Sequence, residues 1–124
     1  MSHVNVVVTT DPEVSILLTY DRLGRSLASI ISEAMSVSGE NGDEITPRDV
    51  TVSFVDVSSR TVNPLPLMIE IFVFDHADRA ANLDYRLSRI TRELRSDISV
   101  PVSIIDGKGS LVRVQLSKGG SEEL

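Results

Sequence analysis

Apolar and polar positions alternate at the start of the chain, where Val4, Val6 and Val8 interleave with Asn5, Val7 and Thr9. That period of two, in β-branched residues, predicts a strand. A helical period follows, with Leu23, Leu27, Ile30, Ile31 and Ala34 on one face. Asp11-Pro12 has the form of a helix start, although Gly24 and the β-branched residues around Ile16 argue against one unbroken helix from there. Residues 36–47 are rich in Gly, Ser, Asn and acids and read as a loop, with disorder favoured over a functional loop. Alternation returns at residues 49–57, a second strand, and residues 58–66 form a turn or crossover. Met68 to Phe74 is apolar except for Glu70, the mark of a central strand covered on both faces. A second helix, capped by Asp75 or Asp78, carries Ala80, Leu83, Leu87, Ile90 and Leu94 on one face. Val100 to Asp106 is the fourth strand, Gly107-Lys108-Gly109 a turn, and Leu111 to Leu116 a short final strand.

The order strand–helix–strand occurs twice. Val50 to Asp56 and Val100 to Asp106 share two valines, the serine and the aspartate in register, as duplicated units would. The expected fold is α/β: duplicated β-α-β units forming a four-stranded sheet with two helices on one face, plus the short C-terminal strand. Val4 to Val50 exceeds Ile69 to Val100 by about fifteen residues, which places an insertion in the first half, at residues 11–20 or 36–43. One domain is expected over 1–116, with 117–124 a disordered tail.

Composition narrows the function classes. The chain of 124 residues is long enough for its own core, and with 4% aromatics and no Trp that core must be Val, Ile and Leu. The absence of Cys excludes disulfides, thiolate metal sites and a cysteine nucleophile, and two histidines exclude a histidine cluster. A net charge of −6 argues against a general nucleic-acid binder. No signal-peptide pattern is visible and no apolar run nears the roughly 20 residues that span a bilayer, so a cytoplasmic protein is expected, without membrane or cofactor.

Met1-Ser2-His3-Val4-Asn5-Val6, the two β-α-β units and the length resemble the tautomerase superfamily, in particular its macrophage migration inhibitory factor and carboxymethyl-hydroxymuconate isomerase types. The resemblance implies a homotrimer, with the strand at 111–116 pairing with a neighbouring subunit. It also implies proton transfer by the amine of a proline that follows the initiator Met. Here that position is Ser2, whose primary α-amine has an ordinary pKa of about 7.7–8.0 once Met1 is removed. Other family positions also differ. Pro101 and Ser103 stand where cytokine-like members have a tyrosine and an asparagine, and Thr51 where shorter members have an arginine. No lysine follows the first helix, and Arg79 is the nearest equivalent of an early-helix arginine. The resemblance therefore suggests weak or altered keto–enol isomerisation of a small anionic carbonyl compound, with Ser2 as base and Arg79, Arg113, Ser103 and Pro101 around the substrate. The alternative is a non-catalytic binding or assembly protein on the same scaffold. A ferredoxin-like domain, with the same element order in an antiparallel sheet, is the competing fold.

Further candidates have plainer readings. Arg60 joins Arg79 and Arg113 as a possible anion ligand, though arginines more often serve packing or ion pairs. Arg86, Arg89, Arg92 and Arg95 recur every third residue, read as a solvated helix face balanced by Asp84 and Glu93 rather than as a docking stripe. His3 faces away from Ser2 and Val4. Asp56 and Asp106 end equivalent strands and look like paired carboxylates, although a repeat symmetry would place them far apart, and Gly107-Lys108-Gly109 lacks the spacing of a phosphate loop.

Overall fold

A computed structural model describes residues 3–10, 20–56 and 67–97, together with the backbone of 111–117. Strands β1 (Val4–Thr10), β2 (Val50–Asp56), β3 (Leu67–Phe74) and β4 (Leu111–Ser117) form one sheet in the order β2-β1-β3-β4. β1 runs parallel to β2, β3 runs parallel to β4, and the two pairs meet along an antiparallel β1–β3 ladder. Each half is therefore a parallel β-α-β unit, which needs a crossover rather than a hairpin. Strand direction excludes the ferredoxin-like alternative.

Side-chain alternation gives the sheet two different faces. Val4, Val6 and Val8 of β1, with Leu67, Ile69, Ile71 and Val73 of β3, are all buried on one face. Helix α1 (Tyr20–Met35) covers it with Leu23, Leu27, Ile31 and Ala34, and helix α3 (Leu83–Arg95) with Ile90 and Leu94. Burying each such Leu or Ile contributes about 1.5–3 kcal/mol before entropy is set against it. The opposite face holds Val7, Met68, Phe72 and Phe74 half-buried. β3 is thus the central strand expected, but only one of its faces is fully covered.

The second helical pattern divides in two. A short α2 (Ala77–Ala81) is followed by Asn82, at φ −129° and ψ 34°, and then by α3. The break leaves Ala80 exposed, so the apolar face begins effectively at Leu83. The α2 cap is His76, whose Nδ1 accepts from Asp78 N at 3.2 Å, rather than either aspartate.

The strand at 111–117 pairs with β3 of its own chain, Met68 with Leu111 through Phe74 with Ser117, and stands at the edge of the sheet. Val100 to Asp106 lies outside the described residues. The ladders make β4 the counterpart of β2: 46 residues separate Val4 from Val50, and 43 separate Met68 from Leu111, so the inferred insertion disappears. The local likeness of 50–56 to 100–106 did not show that 111–117 pairs with β3, because register is a property of the partner strand.

Residues 36–46 are folded rather than disordered. Val37 and Asp43 exchange backbone hydrogen bonds of 2.9 and 2.7 Å, and Gly42 N donates to Gly39 O at 3.1 Å. Gly39 supplies the positive φ of 105° that this turn needs. A Cβ on Gly42 would run into the Val37 carbonyl. Ser36 Oγ accepts from Ile45 N at 2.8 Å and lies 2.7 Å from Ser32 O, splicing the loop to the end of α1.

The groove between α1 and β2 holds a test of helix propensity. Gly24 faces the Phe54 ring, and an added Cβ would sit 3.7 Å from it, in ordinary contact. Gly24→Ala is expected to stabilise the chain by about 0.5–1 kcal/mol, read as a higher urea midpoint with unchanged slope. A lower midpoint would show that the ring cannot accommodate the methyl group.

Candidate functional site

The end of the sheet where β1 and β2 begin and β3 and β4 finish gathers most of the polar chemistry. β1 delivers His3 there, one residue before fully buried Val4, and His3 Nε2 lies 2.8 Å from Thr51 Oγ1. Ser2, Pro101, Ser103 and Arg60 lie outside the described residues. Arg113 is paired in register with Glu70, in the middle of the β3–β4 ladder. Asp56, at the opposite end of the sheet, accepts from Thr10 Oγ1 at 3.2 Å.

Arg79 is wholly buried. Its Nε donates to Met35 O at 2.8 Å, Nη1 to Phe74 O at 2.5 Å, and Nη2 to Asp43 Oδ2 at 3.0 Å. One guanidinium thus joins the end of α1, the end of β3 and the 36–46 loop, and it shows no surface to an incoming anion. The planar fork suits this role, because its donors point in several fixed directions.

Arg86 repeats the device one helix along. Its Nη1 donates to Ala34 O at 2.9 Å and Ser36 O at 2.8 Å, while Nε donates to Asn82 Oδ1 at 2.6 Å. The carbonyls of Ala34, Met35 and Ser36, left without helical partners where α1 ends, are therefore held by two arginines from the other half. Burial lowers the Arg86 pKa from its ordinary value, as do the charges of Arg79 and, less, Arg89, with Asp78 opposing. The negative end of the α1 dipole favours the gathered cations. Arg86 is thus a structural cap, not part of a solvated stripe, and Asn82 four residues before it was the signal that could have shown this. Arg89 reaches Glu33 at 3.3 Å on the surface, while Arg92 and Arg95 are exposed.

Beside this cluster lies an open groove of about 600 Å³, lined in part by Ser36, Ser38, Glu44, Thr46 and Arg89. Hydroxyls and both signs of charge line it together with the apolar Ile45 and Pro47. Among the described residues no group of three or more His, Asp or Glu could hold a metal, and no helix is long and apolar enough to cross a membrane.

The parallel pairs joined through an antiparallel centre, with the helices on one face, define a tautomerase-like fold. No family model matches the chain, and no curated protein does. Among solved structures it is similar to N1, a member of the cis-3-chloroacrylic acid dehalogenase family, at 14% identity and a TM-score of 0.53, covering 94% of this chain and 77% of that one. Leishmania major MIF2 follows with 13% identity and a TM-score of 0.42, covering 95% of this chain and 90% of that one. The macrophage migration inhibitory factor-like protein of Entamoeba histolytica has 8% identity and a TM-score of 0.41, with the same two coverages. The first of these likenesses carries the fold assignment.

Proposed function

We propose that the chain is a cytoplasmic tautomerase-like protein that catalyses weak keto–enol isomerisation of a small anionic carbonyl compound. The observation that supports this is the fold together with the anchoring of β1, in which Val4 is fully buried and His3 is held against Thr51. With Met1 removed, the Ser2 amine takes a proton from the carbon beside the carbonyl, and the resulting ammonium returns it to the enolate oxygen. Arg113 orients the anion in this reading, with Ser103 and Pro101 lining the pocket. Arg79 contributes at a distance, since its nitrogens already serve Met35, Phe74 and Asp43.

A second reading, a non-catalytic assembly protein, is favoured by the half-open outer sheet face, where Val7, Met68, Phe72 and Phe74 are half-buried, and by the internal use of Arg79. In both readings the chain self-associates, as a homotrimer. Intact mass, oligomer size and a phenylenolpyruvate tautomerase assay on untagged protein separate them. Activity above buffer from a trimer lacking Met1, rising sharply in Ser2→Pro, supports the enzyme. A folded trimer inactive in both forms leaves the assembly role, and a monomer removes both readings.

A further inference from the structure

We propose that Asn41-Gly42 is a site of spontaneous covalent modification, where the asparagine loses ammonia and becomes aspartate or isoaspartate when the turn at residues 39–42 opens. The chain holds asparagine at positions 5, 41, 63 and 82, and only Asn41 is followed by glycine. That neighbour matters because a glycine nitrogen, with no Cβ beside it, can approach the preceding side chain. Both residues are exposed. In the reaction the Gly42 nitrogen gives up its proton and bonds to Asn41 Cγ. The Cγ–Nδ2 bond breaks, Nδ2 leaves with that proton as ammonia, and a five-membered succinimide remains. Water then opens the ring. Addition at Cγ, breaking its bond to Gly42 N, leaves aspartate. Addition at the main-chain carbonyl carbon, breaking that bond to Gly42 N, leaves isoaspartate, with the chain running through Cγ.

The folded turn restrains this chemistry. The Asn41 carbonyl and the Gly42 N–H belong to one peptide plane, and both of its edges are tied. Gly42 N donates to Gly39 O at 3.1 Å, and Asn41 O accepts from His76 Nε2 at 2.9 Å. In turns closed by such a bond the third residue has ψ near 0°. Ring closure instead needs the Gly42 nitrogen rotated to the Cβ side of Asn41, so both bonds must break first. The product, in turn, does not fit the loop it came from. Val37 and Asp43 close that loop with backbone bonds of 2.9 and 2.7 Å, and a Cβ on Gly42 would already collide with the Val37 carbonyl. Isoaspartate puts one more carbon into the closed loop, and either product adds a carboxylate beside Glu40, Asp43 and Glu44. Ser38 and Glu44 line the 600 Å³ groove, so the modification reshapes its wall. The inference stands whether or not the chain is an enzyme.

The test is intact mass and peptide mapping of the full-length chain, held for days at mildly alkaline pH either folded or unfolded in guanidinium. The folded chain should gain about one dalton at Asn41 and leave Asn5 and Asn82 unchanged. Isoaspartate is recognised because an aspartate-specific protease does not cleave before it. Conversion should be about ten-fold slower in the folded chain than in the unfolded one, as expected when two hydrogen bonds must open first. Folded chain carrying isoaspartate should lose amide-exchange protection at Val37 and Asp43. Asn41→Asp, which adds the charge without the extra carbon, should keep it. Equal rates in the two states, no conversion of the folded chain once the unfolded chain is exhausted, or earlier conversion at Asn5 or Asn82 would each overturn the proposal. Equal loss of protection in Asn41→Asp would overturn the role given to the added carbon.

Discussion

Arg79→Ala is expected to lower the unfolding free energy by about 3–5 kcal/mol, a large share of the 5–15 kcal/mol typical of a domain. The residue is 0% exposed, and its loss takes a donor from three acceptors at once: Met35 O, Phe74 O and the Asp43 carboxylate, whose side chain is 12% exposed. Each uncompensated acceptor carries a desolvation cost of about 1–3 kcal/mol, and removing a charged donor from a carboxylate costs more. Arg79→Lys keeps the charge, but a single ammonium cannot serve three acceptors lying in different directions, so most of the loss should remain. Arg79→Met combined with Asp43→Leu should recover part of it, because the buried pair is then removed as a whole. The surface pair provides the control. Arg89→Ala breaks a 3.3 Å contact to a Glu33 side chain that is 62% exposed, and should cost at most about 1 kcal/mol. Urea midpoints of the variants decide it. A loss for Arg79→Ala no larger than that for Arg89→Ala would mean that water replaces the guanidinium at low cost.

Ile71 and Phe72, adjacent on β3, should respond in opposite ways. Ile71 is fully buried between β1 and β4 beneath the helices, and Ile71→Ala should cost about 2–5 kcal/mol of folding stability at any protein concentration. Phe72 points to the other face, beside Asn5 in the β1–β3 ladder and half-buried in the single chain. Phe72→Asp should leave the chain folded and convert the assembly to monomer, because it replaces a large apolar contact with an unpaired charge where the proposed oligomer meets. Sedimentation and urea unfolding on both variants make the comparison. A monomeric natural chain, or a Phe72→Asp protein that still assembles, would show that this face is not where the copies meet. Val55 on the same face, 48% exposed, is the next position to change in that case.

The elements foreseen from periodicity were those with one strong face. Leu23, Leu27, Ile31 and Ala34 repeat every three or four residues and line the core side of α1 as expected. β1, β2 and the central place of β3 followed equally well, and so did the β-α-β duplication. The expectations that failed concerned features set by distant partners. The partner of β4 within the chain is β3, which the period of the strand alone did not specify. The loop at 36–46 looked disordered by composition, whereas Ser36, Val37 and Asp43 fold it back on itself. Of the residues expected around the substrate, Arg79 is the one whose side chain is described, and it is clamped inside the molecule. His76 and Arg86 carry more of the local architecture than their sequence positions suggested.

By itself, then, the amino-acid order determined which residues form strands and helices and which faces they bury, because a period of 2 or 3.6 is a local property of the backbone. The tertiary structure alone decided the parallel direction within each half, the pairing of β4, and the work of the arginines. Arg79 meets Met35 across 44 residues, and Arg86 meets Ala34 across 52. Contacts at such separations exist only after the two halves have packed together, when the carbonyls at the end of α1 lose water and must find donors from the other half.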